Sequence, residues 1–117
     1  MSRPQTTVID HIVLLKVRPD VTEEEIKHFI DGINSLKDIP GVVTISVGST
    51  FVEDWMADRR DGITHSLSCR LESKEALQVY QDHPLHVKVK NDCIVPIIAS
   101  PPVAVDYEST VVLGEGK

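Results

Sequence analysis

The sequence predicts an α+β fold of the ferredoxin-like type, with its elements in the order strand, helix, strand, strand, helix, strand. Three observations predict it. Val8–Val17, "VIDHIVLLKV", is a β-branched apolar run of strand length. Ile26, Phe29, Ile30, Ile33 and Leu36 then recur at helical spacing. Two further strand-like runs follow one another with only a polar loop between them, before a second helical stretch and a last strand-like run.

The elements are justified in chain order. In the first strand the odd positions are Ile9, His11, Val13, Leu15 and Val17, and the even ones Val8, Asp10, Ile12, Leu14 and Lys16. Both faces are apolar in the middle, so the strand is expected to be covered on both sides. Arg18-Pro19-Asp20 ends it. Thr22 and Glu25 make a capping box, in which each side chain satisfies the other's backbone N–H, and this starts the first helix. Pro40-Gly41 stops it. Val42–Phe51 and Ile63–Leu71 are the second and third strands; in the third, His65, Leu67, Cys69 and Leu71 share one face. The loop Glu53–Gly62 carries Trp55 and Met56, for which closing over a pocket, covering a dimer edge and simple packing stay open, packing ranked first. Ser73 caps a short helix over Lys74–Gln81, Pro84 opens another running to about Ile94, and Val103–Glu108 is the last strand. A four-stranded sheet of this order carries helices on one face only. The apolar even positions Ile12 and Leu14 therefore predict a cover for the other face, most simply an identical sheet from a second chain.

Composition narrows the function classes. A chain of 117 residues fits one domain. A formal charge of −6 argues against nucleic acid, which is bound by clustered Lys and Arg. No apolar run approaches the roughly 20 residues of a membrane span. Cys69 and Cys93 lack CxxC spacing and read as reduced core residues of a cytoplasmic protein.

The stretch "YQDHPLHVKV", 80–89, carries the candidate chemistry. With Pro84 at the first helical position, His83 is the N-cap and His86 lies in the first turn, while Tyr80 ends the preceding helix. The positive end of a helix dipole disfavours imidazolium, so these histidines are expected to be neutral and able to accept a proton. A histidine at a helix start also commonly does no more than satisfy a backbone amide. The catalytic reading gains from His11 and His65, which lie on the apolar faces of the two strands expected at the sheet centre. If those faces point at the helices, polar groups from sheet and helix converge on an apolar pocket.

These residues resemble the dimeric α/β-barrel family, Dabb, also called the stress-responsive A/B barrel domain. The carriers are "HIVLLKV" at 11–17, "VTEEEI" at 21–26, "L-K-D-IPGV" at 36–42, "SVG" at 46–48, "THSL" at 64–67, "YQDHPLHV" at 80–87 and "AVDYE" at 104–108. The resemblance implies a domain over 8–109 with a short tail at 110–117. It also implies a homodimer in which two four-stranded sheets pair into a dimeric α/β barrel. The family includes plant stress proteins, a polyketide cyclase working by intramolecular aldol condensation, and a hydroxynitrile lyase. By resemblance to the cyclase, His86 is the catalytic base and Tyr80, His11 and His65 are its partners. The cyclase's first-helix tyrosine is Ile33 here. The apolar walls expected around the ligand are Val13, Leu15, Phe29, Ile30, Ile33, Leu67, Cys69 and Leu77.

Three readings stand side by side. The first is a cyclase- or lyase-like enzyme acting without a cofactor on a small apolar carbonyl compound, by aldol or retro-aldol chemistry. The second is a non-catalytic stress-responsive barrel whose histidines hold the fold. The third, a metal site made by His11, His65, His83 and His86, has no local ligand spacing behind it, and no metal is expected.

Overall fold

The β-branched run near the start of the chain forms the strand β1 (Thr7–Leu15) at the centre of a four-stranded antiparallel sheet. The computed structural model describes residues 6–116. After β1 come α1 (Glu23–Ser35), a 3-10 turn at Leu36–Asp38, β2 (Val42–Ser49), β3 (His65–Leu71), α2 (Lys74–Asp82), α3 (Pro84–Val89), a π-helical turn at Lys90–Ile94 and β4 (Val103–Thr110). The sheet order is β2-β3-β1-β4, so the ferredoxin-like arrangement is as expected.

Local chemistry sets the helix starts. Thr22 Oγ1 accepts from the Glu25 N–H at 3.1 Å, and Glu25 Oε1 accepts from the Thr22 N–H at 3.1 Å, completing the capping box. Ser73 caps α2 through the Ala76 N–H. His83 Nδ1 accepts from the Leu85 N–H at 3.1 Å, so this histidine is the cap of α3. Phe29 and Ile33 of α1, with Leu36 of the 3-10 turn that follows, pack onto Val13, Leu15, Leu67, Cys69 and Leu71 on the inner sheet face, with Tyr80 in the same core.

Most element ends shift by one or two residues from expectation: β2 ends at Ser49, β3 starts at His65, α2 ends at Asp82 and β4 runs on to Thr110, and two further differences have a visible cause. β1 stops at Leu15 because the next residues change partner: the Ala99 N–H donates to the Lys16 carbonyl and the Arg18 N–H to that of Ile97. The last helical run is not one α-helix; α3 ends at Val89 and the backbone widens into the π-turn. Single π-turns of this kind concentrate at functional sites.

Gly32 explains how the π-turn docks. A Cβ at Gly32 would lie 2.7 Å from Cys93 Sγ and 3.3 Å from its Cβ, so only glycine admits this approach. Gly32→Val is expected to cost about 1–3 kcal/mol by overpacking. Thermal melting should show the loss, and Cys93→Ala in the same chain should restore part of it.

On the outer sheet face Arg70 grips Asp10 with two bonds, Nε to Oδ1 at 2.9 Å and Nη2 to Oδ2 at 3.2 Å. This guanidinium holds the Asp10 carboxyl below its ordinary value. Beside that pair runs an apolar strip, with Ile12 and Leu14 half-buried and Val103, Val105 and Tyr107 each more than half exposed on the single chain. Trp55 does not pack within the single chain, the first-ranked of its three alternatives, and stands 83% exposed at the tip of the β2–β3 loop. That loop turns back toward Leu14 through Met56 and leaves the indole outside.

Candidate active site

Strand alternation sends His11 to the inner face of β1, where it is 6% exposed. The antiparallel register sets it directly opposite Asp106 of β4. His11 Nδ1 and Asp106 Oδ1 are 2.5 Å apart. A carboxylate only accepts, so Nδ1 carries the proton, and the Nε2 edge of the ring is left free of this pairing.

The end of α2 delivers Tyr80 and the first turn of α3 delivers His86. The tyrosine ring neighbours both imidazoles, with centroids 5.9 Å from His11 and 4.7 Å from His86. Burial, reinforced by the adjacent Cys69 thiol, pushes the phenol pKa up, so Tyr80 stays protonated and can only donate to an oxyanion. Burial likewise lifts the Cys69 thiol to about 11, which makes it inert packing. His86 is held below 6.5, first by burial and then by the positive field of His11 and Lys90; the nearby Gln81 carbonyl opposes the shift. Its Nδ1 is buried and has no hydrogen-bond partner among the described residues. The ring is therefore neutral at pH 7, the form that accepts a proton.

His11, Tyr80 and His86 line a cavity of about 420 Å³ between sheet and helices, within the range of small-molecule sites. Of the apolar residues expected around a ligand, Val13, Ile33 and Leu67 line it. Leu15, Phe29 and Cys69 are buried in the core instead, and Ile30 and Leu77 pack against that core; none of the five borders the cavity. His65 is not brought to the cavity. It lies on the helix side of the sheet with its ring edge-on to Phe29 at 5.8 Å, and its Nδ1 is 2.9 Å from Thr64 Oγ1.

Asp106, Lys90 and Asn91 are site residues that sequence reasoning missed. Alternation along 103–110 puts Asp106 on the same face as Ala104, and a carboxylate on that face next to a histidine strand was the available signal. The lysine had none, because the π-turn that aims it is not a pattern in the sequence. Among the described residues, no group of three or more His, Cys, Asp or Glu is arranged to hold a metal ion.

A family description, Dabb, the stress-responsive A/B barrel domain, matches residues 9–109. The chain belongs to the Dabb family. Among its relatives, a stress-response A/B barrel domain-containing protein of Arabidopsis thaliana is 35% identical over 82% of this chain; the chain spans 35% of that relative's length. Olivetolic acid cyclase of Cannabis sativa is 28% identical over 68% of this Dabb chain and 76% of its own. Solved structures share the fold. A dimeric ferredoxin-like protein of Thermobifida fusca superposes with a TM-score of 0.71 at 24% identity, covering 87% of this chain and 91% of the other. The hydroxynitrile lyase of Passiflora edulis superposes with a TM-score of 0.77 at 18% identity, covering 92% and 97%. Dabb relatives and fold neighbours thus include a cyclase, a lyase and dimers.

Proposed function

We propose that this Dabb protein is a cofactor-independent enzyme of the cyclase or lyase type, acting by aldol or retro-aldol chemistry on a small carbonyl compound with an apolar body. The observation that carries the reading is the convergence of His11, Tyr80 and His86 on one apolar cavity, with Asp106 behind His11. In the forward direction the neutral His86 imidazole removes a proton from the carbon next to a carbonyl. The C–H electron pair moves into an enolate, whose oxygen is stabilised by the Tyr80 hydroxyl. The enolate carbon attacks a second carbonyl of the same substrate. A C–C bond forms, and the new alkoxide takes a proton from the imidazolium. Protons balance and no electrons leave the substrate. His11 polarises or orients a carbonyl, and the Asp106 carboxylate stabilises any positive charge that develops on it.

The homodimer belongs to the same proposal. The apolar strip of β1 and β4 fits a second copy of the sheet, and it lies on the face away from the cavity, so each protomer keeps its own site.

A second reading, a non-catalytic stress-response barrel, draws on the Arabidopsis relative, whose name carries a stress response and no reaction. Turnover decides between them. The wild-type protein is incubated without added cofactor with linear poly-β-keto acids and with aromatic cyanohydrins, and ring closure or C–C cleavage is followed by mass spectrometry. No conversion of any substrate would favour the second reading. Where turnover is found, its pH profile is expected to follow His86. The working form is the unprotonated one, and its pKa lies below 6.5. Hence the acid limb of kcat/KM should be centred below 6.5 and fall about tenfold per unit beneath its midpoint. An acid limb centred above 6.5 would exclude His86 as the base.

A further inference from the structure

The cavity is charged in one sense only. Its lining includes one formally charged side chain, Lys90, with the imidazoles of His11 and His86, and no Asp or Glu. The nearest site carboxylate, Asp106, is taken by His11. On a chain of net charge −6 this is a local reversal of sign. Lys90 makes no ion pair among the described residues, and neither do Lys16, Arg59, Lys74 and Lys88; of these five cations Lys90 is the one that lines the cavity. The π-turn begins at Lys90 and brings Lys90, Asn91 and Ile94 to the cavity wall, while Asp92 and Cys93 line a separate cleft on the α1 side. Lys90, Asn91 and Gln81 are exposed and line the polar side of the cavity mouth, whose other exposed lining, Val87, Val95, Pro102 and Ala104, is apolar; buried Val13, Ile33 and Leu67 form its apolar depth.

We infer that Lys90 is a specificity residue and that the cavity takes an organic carboxylate, with its apolar body inside and its carboxylate at the mouth against the Lys90 ammonium and the Asn91 amide. The inference rests on the cavity being the substrate site and narrows the substrate class to acids. A neutral amide or ester of the same shape leaves the ammonium without a counter-charge, so the site discriminates by charge more than by size.

The test is calorimetric binding of two isosteric probes, 4-butylbenzoate and 4-butylbenzamide, to the wild type, to Lys90→Gln and to Lys88→Gln. Lys88 is exposed on α3 and does not line the cavity, so it controls for net charge. The wild type and Lys88→Gln should prefer the carboxylate by about fivefold or more at low salt, less at high salt, and Lys90→Gln should bind the two probes alike. In the wild type, carboxylate binding should also raise the His86 pKa read from its ring proton shift, because the bound anion offsets the Lys90 charge. Equal affinity of the two probes for the wild type, an undiminished preference in Lys90→Gln, or binding of neither probe would overturn the inference. The probes do not react, so an absence of turnover would remove the catalytic reading and leave a measured carboxylate preference standing.

Discussion

His86→Ala should lower turnover by about 10²–10⁴-fold, the usual contribution of a general base. The fold should survive. The imidazole makes no side-chain hydrogen bond through its buried Nδ1, and what it contributes is its contact with the Tyr80 ring and its interaction with the Gln81 carbonyl. Losing these costs about 1 kcal/mol, an ordinary figure for a half-buried side chain. Removing a buried nitrogen that lacks a partner also relieves a polar group that burial penalises. Tyr80→Phe should cost less activity, because the ring still fills its place and only the hydroxyl proposed to meet the enolate is gone. His65→Ala provides the contrast: its ring packs on Phe29 outside the cavity, so melting temperature should fall while the rate per folded molecule holds. Thermal melting and single-substrate kinetics on the three variants decide the matter. If His86→Ala melts far below the wild type, and the wild type itself turns over none of the substrates, the histidines hold the fold and the catalytic reading is lost. If His65→Ala loses as much rate as His86→Ala while folding normally, the site extends past the cavity described above.

Val105→Lys should split the proposed homodimer into single chains. Val105 lies opposite Ile12 in the β1–β4 register and is 54% exposed on the single chain, so a lysine there is harmless to the protomer itself. Covered by a second sheet, the same ammonium is buried without a partner, which costs about 3–5 kcal/mol. Two-fold symmetry makes each dimer bear it twice. The Asp10–Arg70 pair on the same face is already closed on itself and offers no ready counter-charge. Sedimentation equilibrium at micromolar concentration should show a wild-type dimer and a monomeric variant of unchanged secondary structure. A wild type that sediments as single chains, or a variant as dimeric as the wild type, would exclude the sheet face as the interface.

Several features of this protein are encoded within a few residues of each other, and these were legible in the sequence. The Thr22/Glu25 box, the Ser73 cap and the His83-Pro84 helix start depend on contacts three residues apart or fewer. Period-two alternation assigns His11, Val13 and Leu15 to one face of the first strand, and the order of elements leads to the ferredoxin-like sheet. Face is not depth, however. Leu15 pairs with His65 while His11 pairs with Cys69, so the two histidines share a face yet stand at different heights along the strands; one reaches the cavity and the other reaches Phe29. The same reason divides Val13, Ile33 and Leu67, which line the cavity, from Leu15, Phe29 and Cys69, which fill the core. The meeting of His11 with Asp106 joins residues 95 positions apart, through a strand register that packing of the whole sheet selects. The π-turn that brings Lys90 to the cavity mouth also sets Cys93 against the bare Gly32 surface of α1, a contact between residues far apart in the chain. Local chemistry chose the elements and their faces; only the packed tertiary structure decided which side chains on those faces meet.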